Sequence, residues 1–81
     1  MRIAVLVFAR LREILGASGA ILELPAGACV EDAWASLSAQ HPALRAERRS
    51  TRAARNGRLV DFEAPLSDGD ELAFLPPVGG G

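Results

Sequence analysis

The feature that most limits what this chain can build is a proline pair, Pro76-Pro77, set directly behind an apolar run and followed only by Val78-Gly79-Gly80-Gly81. Two adjacent prolines offer no backbone N–H and hold φ near −65°, so a strand ladder cannot pass through them. Any strand over Glu71–Leu75 therefore ends at Leu75. Residues 1–76 are predicted to form the folded unit and 77–81 a tail. After Val78 no residue carries a side chain, so nothing there can bury surface or be held down by it. Two readings stay open at this point. One is a frayed terminus. The other is a tail slim enough to thread a narrow tunnel in another protein, where Gly80 passes without a Cβ and the Gly81 carboxylate becomes the reacting group.

Eighty-one residues make one small domain, burying roughly 60% of the surface its unfolded chain exposes. With 49% hydrophobic residues the chain has enough apolar surface for a core. A net charge of −1 gives no overall field for nucleic acid. The one cysteine, Cys29, excludes an internal disulfide, a cysteine-clustered zinc site and a plant-type iron–sulfur centre. It suits a reducing cytoplasm. No apolar run approaches membrane-spanning length, and Met1–Phe8 predicts a first strand rather than a signal peptide. All 9 basic residues are arginine, so no lysine amine is present to accept an acyl group.

Ile3–Phe8 is apolar on both faces, as a covered central strand requires. Over Ala9–Leu15 the period changes: Leu11, Ile14 and Leu15 form a helical stripe, closed by Gly16. Ala20–Leu24 alternates again, with Leu22 and Leu24 inward, and Pro25-Ala26-Gly27 is a turn. Val30–Gln40 is the main helix. Its Val30, Ala33, Trp34 and Leu37 share one face, Glu31 and Asp32 suit its positive end, and Cys29 stands at the N-cap. His41-Pro42 ends it. Residues 43–50 predict at most a short second helix. Asn56-Gly57 signals a two-residue hairpin between strands near Thr51–Arg55 and Arg58–Phe62. A turn at Asp68-Gly69 leads into the last strand, Glu71–Leu75, with Leu72 and Phe74 on one face and Ala73 and Leu75 on the other. This order predicts an α+β domain: a mixed five-stranded sheet packed on one main helix, in the manner of a ubiquitin-like β-grasp. The parallel pairing of first and last strands is taken from the topology of analogous folds, not from the residues.

Most candidate sites have a plainer structural reading. Cys29 reads as a half-buried cap rather than a nucleophile, since no histidine is near it in sequence. His41, the sole histidine, has no identifiable partner for general-base work. Trp34 belongs to the helix stripe. Six arginines, Arg45, Arg48, Arg49, Arg52, Arg55 and Arg58, make a basic stretch, but no aromatic residue is interleaved for base stacking. A solvated face is the preferred reading there, with protein docking next. What remains is apolar surface. If Val60, Phe62, Leu72 and Phe74 face the helix, alternation turns Leu59 and Leu75 outward. Phe8 joins them at the end of the first strand. Such a patch on a small domain indicates a partner, and it lies at the root of the tail.

Three stretches give the chain a family likeness: Val5–Gly16, with its Phe8-Ala9-Arg10-Leu11-Arg12-Glu13 run; Pro65–Phe74, with Ser67-Asp68-Gly69-Asp70-Glu71; and Leu75-Pro76-Pro77-Val78-Gly79-Gly80-Gly81. With these the sequence resembles the small subunits of molybdopterin synthase, the sulfur carriers of molybdenum cofactor biosynthesis. The likeness runs the full length and is weakest over residues 38–55. Two positions depart from the family pattern: Gly79, where Ser or Thr usually precedes the final Gly-Gly, and Cys29, where Thr is frequent. The resemblance implies a carrier that is not a catalyst by itself and binds no cofactor. A ubiquitin-activating-like adenylyltransferase would spend ATP to make a glycyl-adenylate at Gly81. A sulfur donor protein would convert it to a thiocarboxylate. The large synthase subunit, in an expected heterotetramer, would use that sulfur to build the dithiolene of molybdopterin from cyclic pyranopterin monophosphate. By position, Phe8, Leu59, Leu75, Pro76, Pro77, Val78 and Gly79 are the implied partner contacts. A ubiquitin-like sulfur carrier of thiamin or cysteine synthesis, or a protein modifier forming isopeptides, are the alternatives. The early helix at Ala9–Leu15 disfavours a thiazole carrier, which generally lacks it.

Overall fold

A computed structural model describes residues 1–77 of the chain. Five strands and two α-helices follow one another as β1 (Arg2–Val7), α1 (Ala9–Leu15), β2 (Gly19–Glu23), α2 (Val30–Gln40), a 3-10 helix (Pro42–Ser50), β3 (Arg52–Arg55), β4 (Arg58–Val60) and β5 (Glu71–Leu75). The sheet order is β2-β1-β5-β3-β4. β1 and β5 lie parallel at its centre, with Val5 beside Leu72 and Val7 beside Phe74. The flanking pairs β1–β2, β5–β3 and β3–β4 are antiparallel. This is the expected mixed five-stranded sheet on one main helix, a β-grasp.

Alternation decides which side of the sheet meets α2. Ile3, Val5 and Val7 of β1 and Leu72 and Phe74 of β5 are at most 1% exposed. Across from them the α2 stripe Val30, Ala33, Trp34 and Leu37 is at most 4% exposed. Three aromatic rings knit the two layers. Trp34 meets the edge of Phe74 at 5.0 Å between centroids, and Phe62 stacks on Phe74 at 5.8 Å. Phe62 reaches this cluster from a turn, because β4 ends at Val60, two residues short of the expected strand end. Its ring also carries the Arg48 guanidinium, 3.4 Å from the centroid.

Local chemistry sets the element ends. Gly16 closes α1 at φ 75 with its N–H on the Arg12 carbonyl, as sequence predicted. Asn56 and Gly57, at φ 49 and 85, make the tight β3–β4 turn. At the N-cap of α2 the Asp32 carboxylate accepts the Cys29 N–H at 2.8 Å, while the Cys29 sulfur makes only the weaker reciprocal contact. That bond, followed by the Cys29 side chain, holds Asp32 below the ordinary carboxylate range. Residues 42–50 form a 3-10 helix, not an α-helix. Gly19 is the glycine that sequence reading overlooked: a Cβ there would collide with the Val5 carbonyl oxygen across the β1–β2 ladder.

Candidate functional site

The face of the sheet turned away from α2 is the candidate site. Ladder register puts Gly19, Leu6, Ala73, Ala54 and Leu59 in one row that crosses all five strands. Toward the tail the next row holds Leu75 beside Arg52, with Phe8 just past the end of β1. Toward the other end Ile21 sits beside Ala4, and Ala4 beside Glu71. Phe8 is 39% exposed, Ile21 55% and Leu59 63%. Leu75 is half-buried. Leu59 and Leu75 therefore share one side of the sheet, as alternation predicted, Phe8 stands at the end of β1 near the tail root, and Val60 faces the core beside Ala53.

The tail root completes the geometry. β5 runs through the centre of the sheet and delivers the chain to Pro76 and Pro77, both exposed. These prolines, with Phe8, Leu11 and Thr51, border a hollow of about 80 Å³ between α1 and the end of the 3-10 helix. Arg10 and Glu47 stand at its rim 4.0 Å apart, and the Thr51 hydroxyl donates to the Glu47 carbonyl at 2.6 Å. Val78, Gly79, Gly80 and Gly81 lie outside the described residues.

The remaining candidates are placed apart. Cys29 and His41 cap opposite ends of α2, which by helix rise separates them by ~18 Å, so they cannot act as a pair. Among the described residues no three His, Cys, Asp or Glu side chains cluster as a metal site requires. No helix there is long and apolar enough to cross a membrane. Trp34 is core, as expected. The arginine stretch is only in part a solvated face. Arg48 pairs in bidentate fashion with Glu31 at 2.8 and 3.1 Å, and Arg55 donates to the Pro65 carbonyl at 2.6 Å, so both brace the fold. Asp70 is held below the ordinary carboxylate range chiefly by the Ser67 N–H and next by the Asn56 amide. It precedes β5, at the end of the sheet remote from the tail. Sequence reading missed Ile21 and Leu6. The signal that finds them is their alternation with Leu22 and with Val5 and Val7, once the inward set is known.

A parallel central pair, one grasped helix and a last strand leading directly into the chain's end define the ubiquitin-like β-grasp class. Within that class the chain belongs to the ThiS family, whose pattern matches residues 5–81. It is 44% identical over 84 residues to the molybdopterin synthase sulfur carrier subunit of Chlamydomonas reinhardtii, with 100% of both chains covered. It is 42% identical to the subunit of the same name from Escherichia coli K12, covering 98% of this chain and 99% of that one. Among solved structures, small archaeal modifier protein 1 of Haloferax volcanii superposes with a TM-score of 0.84 at 32% identity, covering 100% of both chains. The complex of subunits 1 and 2 of the molybdopterin-converting factor from Helicobacter pylori shares the fold, with a TM-score of 0.70 at 23% identity and 100% of both chains covered.

Proposed function

We propose that this chain is the sulfur carrier subunit of a molybdopterin synthase and that its working group is the Gly81 carboxylate. The single observation that carries the reading is the position of β5. The central strand passes beside the exposed apolar row and continues at once into Pro76-Pro77, so a partner seated on that row holds the tail at its root. Full-length likeness to two carriers of that name supports it.

In this scheme the carboxylate oxygen of Gly81 attacks the α-phosphorus of ATP on an adenylyltransferase partner, releasing pyrophosphate. A persulfide sulfur of a donor protein then attacks the acyl carbon and AMP leaves. Reductive cleavage of the S–S bond by a thiol frees the thiocarboxylate. Ionised at neutral pH, this group is the better nucleophile, as thiolates are over thiols. The tail next enters the large subunit, which supplies the active site and moves the sulfur to cyclic pyranopterin monophosphate. Phe8, Leu59 and Leu75 dock, Pro76 and Pro77 aim the tail, and Gly79 and Gly80 let it thread. The chain binds no cofactor of its own, and its free, half-buried cysteine suits work in the cytoplasm.

The likeness to a modifier protein supports a second reading, conjugation to lysines of other proteins. Intact mass of the protein purified from its own cells separates the two. A carrier shows a population heavier by the difference between sulfur and oxygen, and that population disappears when the activating enzyme is deleted. A chain that never gains this mass, in cells making the cofactor, would overturn the proposal. Lysine-linked adducts on other proteins would establish the second reading instead.

A further inference from the structure

The apolar face extends well past the three residues at its tail-side edge. Ile21 lies on β2, an edge strand, and is 55% exposed, comparable to Leu59 at 63%. It contributes nothing to the core, since Ala20 and Leu22 supply the inward face of β2. We propose that Ile21 is the second anchor of the docking surface, and that the partner receiving the tail covers all five strands, from Leu59 on one edge to Ile21 on the other. This rests on the carrier reading above and adds a contact that the reading does not need.

Three observations carry it. The first is continuity. Ile21 and Ala4 are in register, and Leu6, Ala73, Ala54 and Leu59 run on from them on the same side with no charged residue between. The second is size. At about 4.8 Å between strands, Ile21 and Leu59 stand ~20 Å apart, the breadth of a real contact. A stable interface buries about 800 Å² on each partner, and beyond Phe8, Leu59, Leu75 and the exposed prolines the apolar surface continues across β1 and β2. The third is relief. Between Ile21 and Leu59 the face carries the half-buried Leu6 and the small Gly19, Ala73 and Ala54, all less exposed than the two anchors at its edges. Charges stand at the ends of the strands: Arg52 beside Leu75, Glu71 beside Ala4 at the start of the central strand, and Arg2 opposite Glu23. The occupant is thus a partner with an apolar ridge, acidic where it meets Arg52 and basic where it meets Glu71.

The experiment titrates the full chain against the large synthase subunit, with thermal melts of each variant. Ile21→Ser should weaken binding roughly 4- to 20-fold, from the share of an isoleucine side chain left to bury. Its melting temperature should stay within a few degrees. Ile21→Thr keeps the β-branched shape and strand preference, and should reproduce the loss if Ser disturbs the edge. Leu59→Ser is the reference. Weakening by Leu59→Ser with wild-type affinity in both Ile21 variants overturns the five-strand contact and leaves the carrier reading standing. Wild-type affinity in all three overturns the five-strand contact together with the docking role of Leu59. An Ile21 variant that loses only self-association of the free chain would show that a second copy, not the tail-receiving partner, covers this edge.

Discussion

Phe8→Ser sets two effects of the same residue against each other. Phe8 holds the N-cap of α1 with extended backbone, φ −134 and ψ 162, and no side chain caps the helix. Its carbonyl accepts the Leu11 and Arg12 N–H groups at 3.1 and 3.4 Å. Its ring is 39% exposed, so about six tenths of a full burial of ~1.5–3 kcal/mol is lost on truncation, about 1–2 kcal/mol. Serine at an N-cap returns ~1 kcal/mol by accepting a hydrogen bond in the first turn. Phe8→Ser should therefore end within about 1 kcal/mol of wild type, whereas Phe8→Ala bears the whole loss. For a domain of this size the two variants should melt roughly 4–8 °C apart, serine higher. In the partner titration the order vanishes, because both lack the ring, and each should bind about 5- to 30-fold weaker. Differential scanning calorimetry and isothermal titration on the same preparations check both halves. Serine and alanine variants with equal melting temperatures refute the cap argument. Wild-type affinity in both refutes the docking role of Phe8.

Gly80→Val, placed in the tail, should leave the melting curve unchanged while blocking thiocarboxylate formation or sulfur transfer, read by intact mass and by synthase turnover. Cys29→Thr should raise the unfolding free energy by about 0.5–1 kcal/mol in urea titration, since a hydroxyl oxygen is a better N-cap acceptor than sulfur. Asp70 gives a pH signature. Its carboxyl is depressed in the fold by the Ser67 N–H at 2.7 Å and the Asn56 amide at 2.9 Å. Its contribution is therefore complete above the unfolded carboxylate value near 3.9 and is lost as pH falls through the lower folded value. Thermal melts from pH 6 to 2 should fall more steeply for wild type than for Asp70→Asn, and parallel curves would count against the assignment.

Element order and type were readable from the residues because each signal is local. The period switch at Ala9, Gly16 after Leu15, the Val30–Leu37 stripe, Asn56-Gly57 and the proline pair each act within one or two turns of chain. Their boundaries came out within a residue or two, except where the decisive partner was distant. Residues 42–50 lack an apolar period, and their geometry follows from packing between α1 and α2. Phe62 lies beyond the strand end, with its ring between Phe74 and the Arg48 guanidinium, both distant in sequence. No local rule could have paired Arg48 with Glu31, 17 positions away.

The tail and its root are matters of sequence alone: two prolines end a strand and four residues after them bring one side chain, whatever the fold. The exposed apolar face is a matter of tertiary structure. Alternation makes Leu59 and Leu75 face away from their neighbours, but only the ladder register sets them on one surface with Leu6 and Ile21. Strand alternation has two senses, and a one-residue slip would exchange them. Burial of Phe74 against Trp34 chooses between the two, and with that choice the other side of the sheet is left uncovered.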